Sequence, residues 1–428
     1  MAKSITDILI ELHNGKYNDI LEKLYVDETS VMLQKERYVN ALCGFLEIYG
    51  EKEVEVYSAP GRSEIGGNHT DHQHGKVLAA SVNIDTIAIV AVSGDDTVYM
   101  KSEGYPELEV DLEDLNLYEE ERGTTSALIR GVAAGVRERG YKTGGFYAYV
   151  TSQVLTGSGL SSSAAFEVLI GNIFSGLFNR GRIEPVTIAK IGQQAENEYF
   201  GKPCGLMDQM ASAVGGLVYI DFANLEEPVV ESISVDFDTF GHSLCIVDTK
   251  GSHADLTDDY AAIPQEMKKV AAYFGAEVLR QVDEEAFYHE LPAIRSYAGD
   301  RAVLRSMHWF EENRRVDRQR LQLLAGDFEA FKELILASGN SSYKYLQNVY
   351  ANHKADDQSI ALALLLTEKI LGNAGAWRVH GGGFAGTIQA FVPNELVGVY
   401  KKEIEQYFGQ ASCHVLKVRP YGGTKVLS

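Results

Sequence analysis

Hydrophobic spacing sets the first 50 residues apart from the rest of the chain. Between residues 4 and 50, apolar side chains recur at intervals of three and four, as at Ile8 and Leu12. Ser4 precedes Asp7 in a pattern that resembles a capping box, which is typical of a helix start. The pattern predicts two or three amphipathic helices, and residues 1–50 are interpreted as an N-terminal helical extension.

From Val54 onward the pattern changes to short apolar strands that alternate with helices. Strands are predicted at VEVYSAP, TIAIVAVSG, TVYMKSEG, FYAYVTS, LVYIDF, SLCIVDT and GTIQAFV. Helices are predicted over residues 127–137, 159–178 and 188–199, from near 205, at several places between about 260 and 373, and over 394–409. This alternation of strands and helices predicts two domains of mixed secondary structure, residues 51–225 and residues 226–428.

Composition and charge exclude several classes of protein. A chain of 428 residues with 45% apolar and 23% charged side chains is typical of a globular protein of two or three domains. The 60 acidic and 39 basic residues give a formal charge of -21, which repels nucleic-acid phosphates and anionic membranes. We therefore expect neither nucleic acid nor a membrane as a partner, and any bound phosphate must be held by local features.

Cysteine spacing and the N-terminal sequence predict a cytoplasmic protein. The four cysteines are scattered and form no CxxC pair, so they indicate neither a zinc site nor a disulfide framework. The first 24 residues are too polar for a signal peptide, and no apolar run approaches the length of a membrane span. The oligomeric state does not follow from the sequence, with a monomer slightly favoured.

The segment TSQVLTGSGLSSSAAFEVL joins a predicted strand to a predicted helix through glycines and serines. Gly157 and Gly159 relax the steric limits on the backbone, and the serines place hydroxyl and amide groups at a helix N-terminus, where the macrodipole favours phosphate. The segment is not a Walker A loop, because it lacks GxxxxGK[ST]. Two interpretations stay open: an ATP cradle, or a serine-rich cap whose small residues allow close helix packing.

The segment APGRSEIGGNHTDHQHG, residues 59–75, concentrates polar side chains on a backbone held by glycines. Such groups can converge on the hydroxyls of a sugar. A metal site is an alternative, because His69, Asp71, His72 and His74 lie within six positions, although no HExxH spacing is present. A solvated loop is the third interpretation.

The segment AENEYFGKPCGLMDQMASAVGG, residues 195–216, places Asp208 after a glycine turn and near a helix start. This position is suited to holding an acid close to a bound ligand. An ordinary acidic residue at a helix N-terminus is the alternative interpretation.

Taken together, PGRxxxxGxHTD, GxGLSSSAA, AExxxxGxPCGxMDQ and HGGGFAGTIQAFV resemble the galactokinases of the GHMP kinase family in their order and separations. The resemblance extends from about Val54 to the C-terminus. It implies an α+β, two-domain GHMP kinase fold with the active site in the interdomain cleft. It also implies the ATP-dependent phosphorylation of the anomeric hydroxyl of galactose, giving galactose 1-phosphate.

The resemblance also implies roles for individual residues. Asp208 is the expected base, and Arg62 pairs with it and stabilises charge. An aspartate beside a guanidinium has a depressed pKa and accepts a proton late in phosphoryl transfer. The expected sugar-binding residues are Asn68, His69, Asp71, Gly205 and Tyr260. ATP is expected along Gly157, Gly159, Leu160, Ser161, Ser162 and Ser163, with Mg²⁺ held by Ser163 and Glu196.

Two departures from the family pattern bear on the substrate. Galactokinases usually read GRVNLIGEHTDY, whereas this chain reads GRSEIGGNHTDH, so that Asn68 replaces the glutamate that contacts the exocyclic hydroxyl and His72 replaces a tyrosine. An amide supplies a neutral acceptor and an added donor, which leaves L-arabinose and N-acetylgalactosamine open as substrates. A non-catalytic regulator that binds sugar and ATP is the other class, and the presence of Arg62, Ser163 and Asp208 favours the enzyme.

Overall fold

A computed structural model of the protein describes residues 2–27, 30–154, 159–251 and 256–428. The helices in these ranges are α1 (Ile5–His13), α2 (Asn18–Tyr25), α3 (Val31–Tyr49), α4 (Thr125–Glu138), α5 (Ser162–Asn179), α6 (Pro185–Gln194), α7 (Met207–Val214), α8 (Thr257–Tyr273), α9 (Glu284–His289), α10 (Leu291–Ala298), α11 (Asp300–Ala325), α12 (Phe328–Ser341), α13 (Ser359–Leu371) and α14 (Val397–Phe408). None of them combines the length and the apolar character that a membrane crossing needs.

The strands in the same ranges form two sheets. They are β1 (Lys3–Ser4), β2 (Glu53–Gly66), β3 (Lys76–Val92), β4 (Thr97–Ser102), β5 (Glu107–Asp111), β6 (Phe146–Ser152), β7 (Leu217–Asp221), β8 (Val229–Ile233), β9 (His242–Asp248), β10 (Ala376–His380), β11 (Thr387–Pro393), β12 (Cys413–Leu416) and β13 (Thr424–Leu427). The first sheet has the order β1-β2-β3-β6-β4-β5, with β13 on β2 and with β7 and β8 following β3. The second sheet has the order β10-β11-β9-β12.

Helices cover both faces of the first sheet. Helices α4 to α7 pack on one face around a core that includes Ile129, Val168 and Met210. Helices α1 to α3 pack on the other face, where Leu42 and Phe45 are fully buried. The prediction that the N-terminal segment is helical is therefore confirmed, and Ser4 caps α1 by accepting a hydrogen bond from the backbone amide of Asp7.

A buried ion cluster joins the N-terminal helices to the sheet and to the C-terminal segment. The carboxylate of Asp85, on β3, lies 2.5 Å from Arg37 of α3 and 2.9 Å from Arg419, and all three groups are largely buried. The hydroxyl of Tyr25, on α2, donates to the same carboxylate at 2.8 Å. The helical extension is thus attached to the first sheet by charge as well as by apolar packing.

The two sheets share one apolar core. Leu78 and Ala80 of β3 lie in the same buried cluster as Leu244 of β9, Phe331 of α12 and Phe391 of β11. Strand β8 extends the first sheet beyond residue 225, and β13 returns from the end of the chain to pair with β2. The domain bounds stay a prediction, and the sheets themselves do not divide at residue 225.

Strand β2 is longer than the sequence pattern predicts. The pattern predicts a strand only at VEVYSAP, residues 54–60, whereas β2 continues to Gly66 and pairs with β3 as far as Leu78. Its register shifts between Pro60 and Arg62 and again before Gly66. A bulge leaves one residue of the strand without a partner in the hydrogen-bond ladder. The strand can therefore continue through a segment that contains a proline and glycines. The connecting loop is therefore confined to residues 67–75.

Candidate active site

Arg62 and Asp208 form a bidentate ion pair. Arg62 lies on β2 directly after its first bulge, and its Nε and Nη2 atoms lie 2.6 and 2.7 Å from the two carboxylate oxygens of Asp208, the second residue of α7. Burial opposes ionisation of Asp208, but the charge and hydrogen bonds of Arg62 outweigh it, so the pKa of this carboxyl lies below its ordinary value. The two predicted catalytic residues are therefore brought together as an ionised pair.

The glycine and serine turn, of which residues 159–161 before α5 are described, lies against the pair of Arg62 and Asp208. Gly159 and Ser161 both have positive φ, 72° and 58°, and the Ser161 hydroxyl donates to Asp208 Oδ2 at 2.7 Å. Arg62 donates to the carbonyl of Gly159 through its side chain and to that of Leu160 through its backbone amide, the latter at 3.0 Å. Helix α5 begins at Ser162, so the acid lies at the N-terminus of this helix. Gly157 lies outside the described residues.

Ser163 and Glu196 meet through a hydrogen bond of 2.9 Å from the serine hydroxyl to Oε1 of the carboxylate. Glu196 lies on a π-helical turn, residues 195–200, that follows α6, and such turns are frequent at functional sites. Lys202 Nζ lies 3.1 Å from the same oxygen. Burial lowers the pKa of Lys202, but the charge of Glu196 outweighs it and raises the pKa above the ordinary value.

This oxygen pair fits a magnesium ion that a nucleotide brings with it. Mg²⁺ usually takes one or two protein oxygens and completes its shell with water and substrate phosphates, and Ser163 and Glu196 offer two such oxygens beside α5. Within the described ranges, no group of three or more His, Cys, Asp or Glu side chains is placed to hold a metal ion by itself. The metal interpretation of the histidine loop therefore finds no support there.

His69 has an acceptor atom with no partner. Its Nε2 atom lies 3.0 Å from the carbonyl oxygen of Gly382, which only accepts, so Nε2 carries the proton. Burial, with His72 nearby, lowers the pKa of His69 to about 3, so the ring is neutral. Nδ1 then carries a lone pair, and it is buried without a hydrogen-bond partner among the described residues. Such an atom can accept a hydrogen bond from a hydroxyl group.

The other predicted sugar residues lie on both sides of this histidine. A β-carbon at Gly205 would overlap Oδ2 of Asp71, so the backbone of Gly205 lies directly against that carboxylate. The Tyr260 hydroxyl, on α8, donates to the carbonyl of Gly383 at 2.9 Å. The glycine turn after β10 therefore contacts both His69 and Tyr260.

Comparison with known proteins identifies the family. The family models described as "GHMP kinases N terminal domain" and "Galactokinase galactose-binding signature" match residues 127–216 and 44–92. A galactokinase of Clostridium tetani is 30% identical over 372 residues, covering 86% of this chain and 91% of that protein. The chain belongs to the galactokinase family. A galactokinase of Lactococcus lactis is 28% identical over 415 residues, which cover 93% of this chain and 99% of that protein.

Solved structures agree with this assignment to the galactokinase family. The crystal structure of Lactococcus lactis galactokinase complexed with galactose has a TM-score of 0.77 and 25% identity, covering 91% of this chain and all of that one. A mevalonate kinase, at 14% identity and a TM-score of 0.58, shares the fold alone. The predicted GHMP kinase fold and the predicted class of sugar kinase are therefore confirmed.

Asn68, the main departure from the galactokinase pattern, is fully buried and fully hydrogen-bonded. Its amide nitrogen donates to Glu64 at 3.1 Å and to the carbonyl of Gly381 at 2.7 Å. Its amide oxygen accepts from Ser342 at 3.2 Å and from Asn348 at 2.9 Å. Contact of Asn68 with a sugar stays a prediction, and the amide must exchange one of these partners to make it.

Several residues of the site were not predicted from the sequence. Gln209 Nε2 donates at 2.9 Å both to Glu196 and to Glu167. His380 accepts from the backbone amide of Glu64 at 3.2 Å and lies 3.0 Å from the Thr387 hydroxyl. The only signal for these roles is position, since Gln209 follows the expected base and His380 opens the HGGGFAG motif.

Proposed function

We propose that the protein transfers the γ-phosphoryl group of ATP to the anomeric hydroxyl of galactose, giving galactose 1-phosphate. The observation that supports this most directly is the placement of the Asp208 carboxylate, paired with Arg62, at the N-terminus of α5. The start of α5 and the first turn of α7 thereby bring an acid for the acceptor hydroxyl next to a helix end suited to phosphate. The match to a galactokinase complexed with galactose supports the identity of the sugar.

ATP binds, in this proposal, with its phosphates against the start of α5. The segment from Gly157 to Ser163 offers backbone amides and hydroxyls, and the helix dipole adds positive potential there. This local potential is needed, because the chain as a whole carries a formal charge of -21. Ser163 and Glu196 hold Mg²⁺, which when bound neutralises charge on the phosphates.

The sugar lies between the HTD loop, residues 67–75, and the glycine turn after β10, residues 381–383. Asp71 accepts from adjacent hydroxyls, and an epimer would leave this acceptor unpaired. The unpartnered Nδ1 of His69 accepts from another hydroxyl, and the backbone of Gly205, the Tyr260 hydroxyl and Asn68 complete the sugar site. Because the Asn68 amide is already satisfied by protein, a related sugar such as L-arabinose or N-acetylgalactosamine is the second candidate substrate.

Asp208 orients the acceptor hydroxyl and takes its proton late in the transfer. A carboxylate with a depressed pKa is a weak base for an unperturbed hydroxyl, but the hydroxyl becomes acidic as its bond to phosphorus forms. Arg62 keeps Asp208 ionised and offsets the negative charge that gathers between acid and phosphate. Positioning and charge stabilisation therefore carry most of the rate enhancement. The cytoplasmic location and the monomeric state stay predictions.

The test is ATP consumption by the purified protein with Mg²⁺ and a panel of sugars: galactose, talose, 2-deoxygalactose, N-acetylgalactosamine, L-arabinose and glucose. We expect turnover with galactose and a loss of about 10²- to 10⁴-fold in Asp208→Asn. Asp111→Asn, at an exposed position at the end of β5, is the matched control and keeps full activity. Turnover with another sugar alone would move the assignment to that sugar, and nucleotide binding without any turnover would favour the regulator.

A further inference from the structure

Lys202 places an ammonium group on the carboxylate that is proposed to hold Mg²⁺. Its Nζ atom lies 3.1 Å from Oε1 of Glu196, and its backbone amide donates to the Glu196 carbonyl at 3.0 Å. The backbone bond keeps Lys202 beside this turn. The carboxylate is 3% exposed and the lysine side chain is 63% exposed, so the charged head reaches a buried acid from the solvent side.

The two oxygens of Glu196 have different surroundings. Oε2 accepts from Gln209 at 2.9 Å, and the same amide nitrogen is held by the buried Glu167 at 2.9 Å. Oε1 accepts from Ser163 at 2.9 Å and meets Lys202. The inner oxygen is therefore fixed by protein, and the outer oxygen is the one that a cation can approach.

A lysine and a magnesium ion cannot occupy this oxygen without mutual repulsion. In the absence of metal, the ammonium group compensates a carboxylate that would otherwise be buried without a cation beside it. Because the stem of Lys202 is exposed, the side chain can turn towards solvent when a dication arrives. The ammonium group of Lys202 at Glu196 can therefore be exchanged for Mg²⁺.

We propose that Lys202 is a built-in counter-ion of the metal site: it neutralises Glu196 while metal is absent and gives the carboxylate up when Mg²⁺ enters with the nucleotide. The inference rests on the proposed function, since it requires that Mg²⁺ binds at Glu196. Its consequence is that Lys202 reduces the dependence of nucleotide binding on metal. The bare carboxylate would repel the triphosphate, and the lysine masks that repulsion.

The test measures the dissociation constant of a non-hydrolysable ATP analogue in EDTA and in saturating Mg²⁺. The ratio of the two constants reports the coupling between metal and nucleotide. We expect Lys202→Met to raise this ratio about two- to fivefold, mostly by weakening metal-free binding, as the loss of a partly exposed ion pair predicts. Lys202→Arg should keep the parent ratio, as should Lys101→Met, whose ammonium group donates to a backbone carbonyl on the edge of the first sheet.

Glu196→Gln separates the two proposals. If it collapses the ratio while Lys202→Met leaves the ratio unchanged, the metal site is correct and the role of Lys202 is overturned. If Lys202→Met weakens binding equally with and without Mg²⁺, the lysine contacts phosphate directly, and the counter-ion role is again overturned. If Glu196→Gln leaves the ratio unchanged, Mg²⁺ does not bind at Glu196. Both the metal site and the role of Lys202 are then overturned. Circular dichroism of each variant checks that it is folded.

Discussion

The Arg62 guanidinium determines the charge of Asp208. Both groups are mostly buried, and burial alone would raise the pKa of the carboxyl. The two hydrogen bonds of 2.6 and 2.7 Å, with the third from Ser161, stabilise the ionised form. The charge of the proposed base therefore depends on a residue that lies 146 positions earlier in the chain.

Removing this guanidinium should change the pH dependence of the reaction. In Arg62→Gln, burial of Asp208 is no longer offset, so the pKa of its carboxyl should rise. The acidic limb of kcat/KM should move to higher pH with it, in addition to a fall in rate. The measurement is a pH profile of kcat/KM for the parent and the variant. Arg62→Lys keeps the charge and should show the smaller shift, whereas an acidic limb that stays in place would show that Asp208 does not set it.

Glu64 and Asn68 exchange the acid and the amide of the usual galactokinase pattern. GRVNLIGEHTDY has asparagine and glutamate at these two positions, and this chain has glutamate and asparagine. The side chains are hydrogen-bonded at 3.1 Å, and Glu64 is also paired with the buried Arg378. The exchange therefore keeps one carboxylate and one amide in the same buried network.

This arrangement predicts strong coupling between the two positions. Asn68→Glu alone places a second carboxylate beside Glu64 in a buried network and should lower the free energy of unfolding by about 3 kcal/mol. The double variant Glu64→Asn with Asn68→Glu restores one acid and one amide and should recover much of that loss. Urea unfolding of the parent, both single variants and the double variant gives the coupling energy. Additive single effects would contradict the prediction.

At the scale of elements, periodic segments were predictable and connections were not. Strand β6 and helices α1 to α3 follow from spacing, because one face of each is buried along its whole length. The continuation of β2 to Gly66 depends on bulges that only the partner strand defines. The short strands β8, β10, β12 and β13 were not predicted, because each has four or five residues and none has the continuous apolar run that indicates the equally short β7.

The candidate site shows the same division. The glycine and serine turn and the HTD loop could be found from sequence, because they stand in motifs whose order and separations resemble those of galactokinases. The contacts of Lys202 and Gln209 with Glu196 could not, since they depend on how a π-helical turn orients one carboxylate. Asn68 lies in the loop of residues 67–75, but three of its four protein partners, Gly381, Ser342 and Asn348, lie about 270 to 310 residues later in the chain.

The ion cluster at Asp85 attaches the helical extension, and its loss should be costly. Asp85→Asn leaves Arg37 and Arg419 buried without their anion and should lower the free energy of unfolding by about 3–5 kcal/mol. Burial opposes ionisation of Asp85, but the two arginines outweigh it and lower its pKa in the folded protein. Its contribution is therefore present above the unfolded-state pKa, about 3.9, and is lost as pH falls through the folded-state value.

Urea unfolding at pH 7 and at a series of lower pH values down to pH 2 measures this effect, and the loss should appear below pH 4. Asp96→Asn, at an exposed position after β3, is the control and should change stability by less than about 0.5 kcal/mol. A variant at Asp85 that unfolds like the parent at pH 7 would show that the extension is held by apolar packing alone.

At the scale of the whole molecule, β13 pairs with β2 and packs against the N-terminal helices. Leu427 pairs with Val56, and the buried side chains of Val426 and Leu427 belong to the core under the N-terminal helices. Deleting residues 424–428 should therefore lower the free energy of unfolding by several kcal/mol, about 1.5–3 for each buried side chain. Tm by calorimetry, compared with deletion of Ser428 alone, measures the loss. One transition that moves to lower temperature is expected, since both sheets share a core.

The same strand has a consequence for how the protein is made. A ribosome that has synthesised β2 must add 371 further residues, the distance from Val56 to Leu427, before β13 can pair with it. At about 5–20 residues per second this takes about 20–70 s. Until then part of β2 stays an open edge, which is the kind of surface that recruits other nascent chains. The protein therefore completes its first sheet only after Leu427 has been synthesised, and its yield in a cell should depend on chaperones that cover this edge meanwhile.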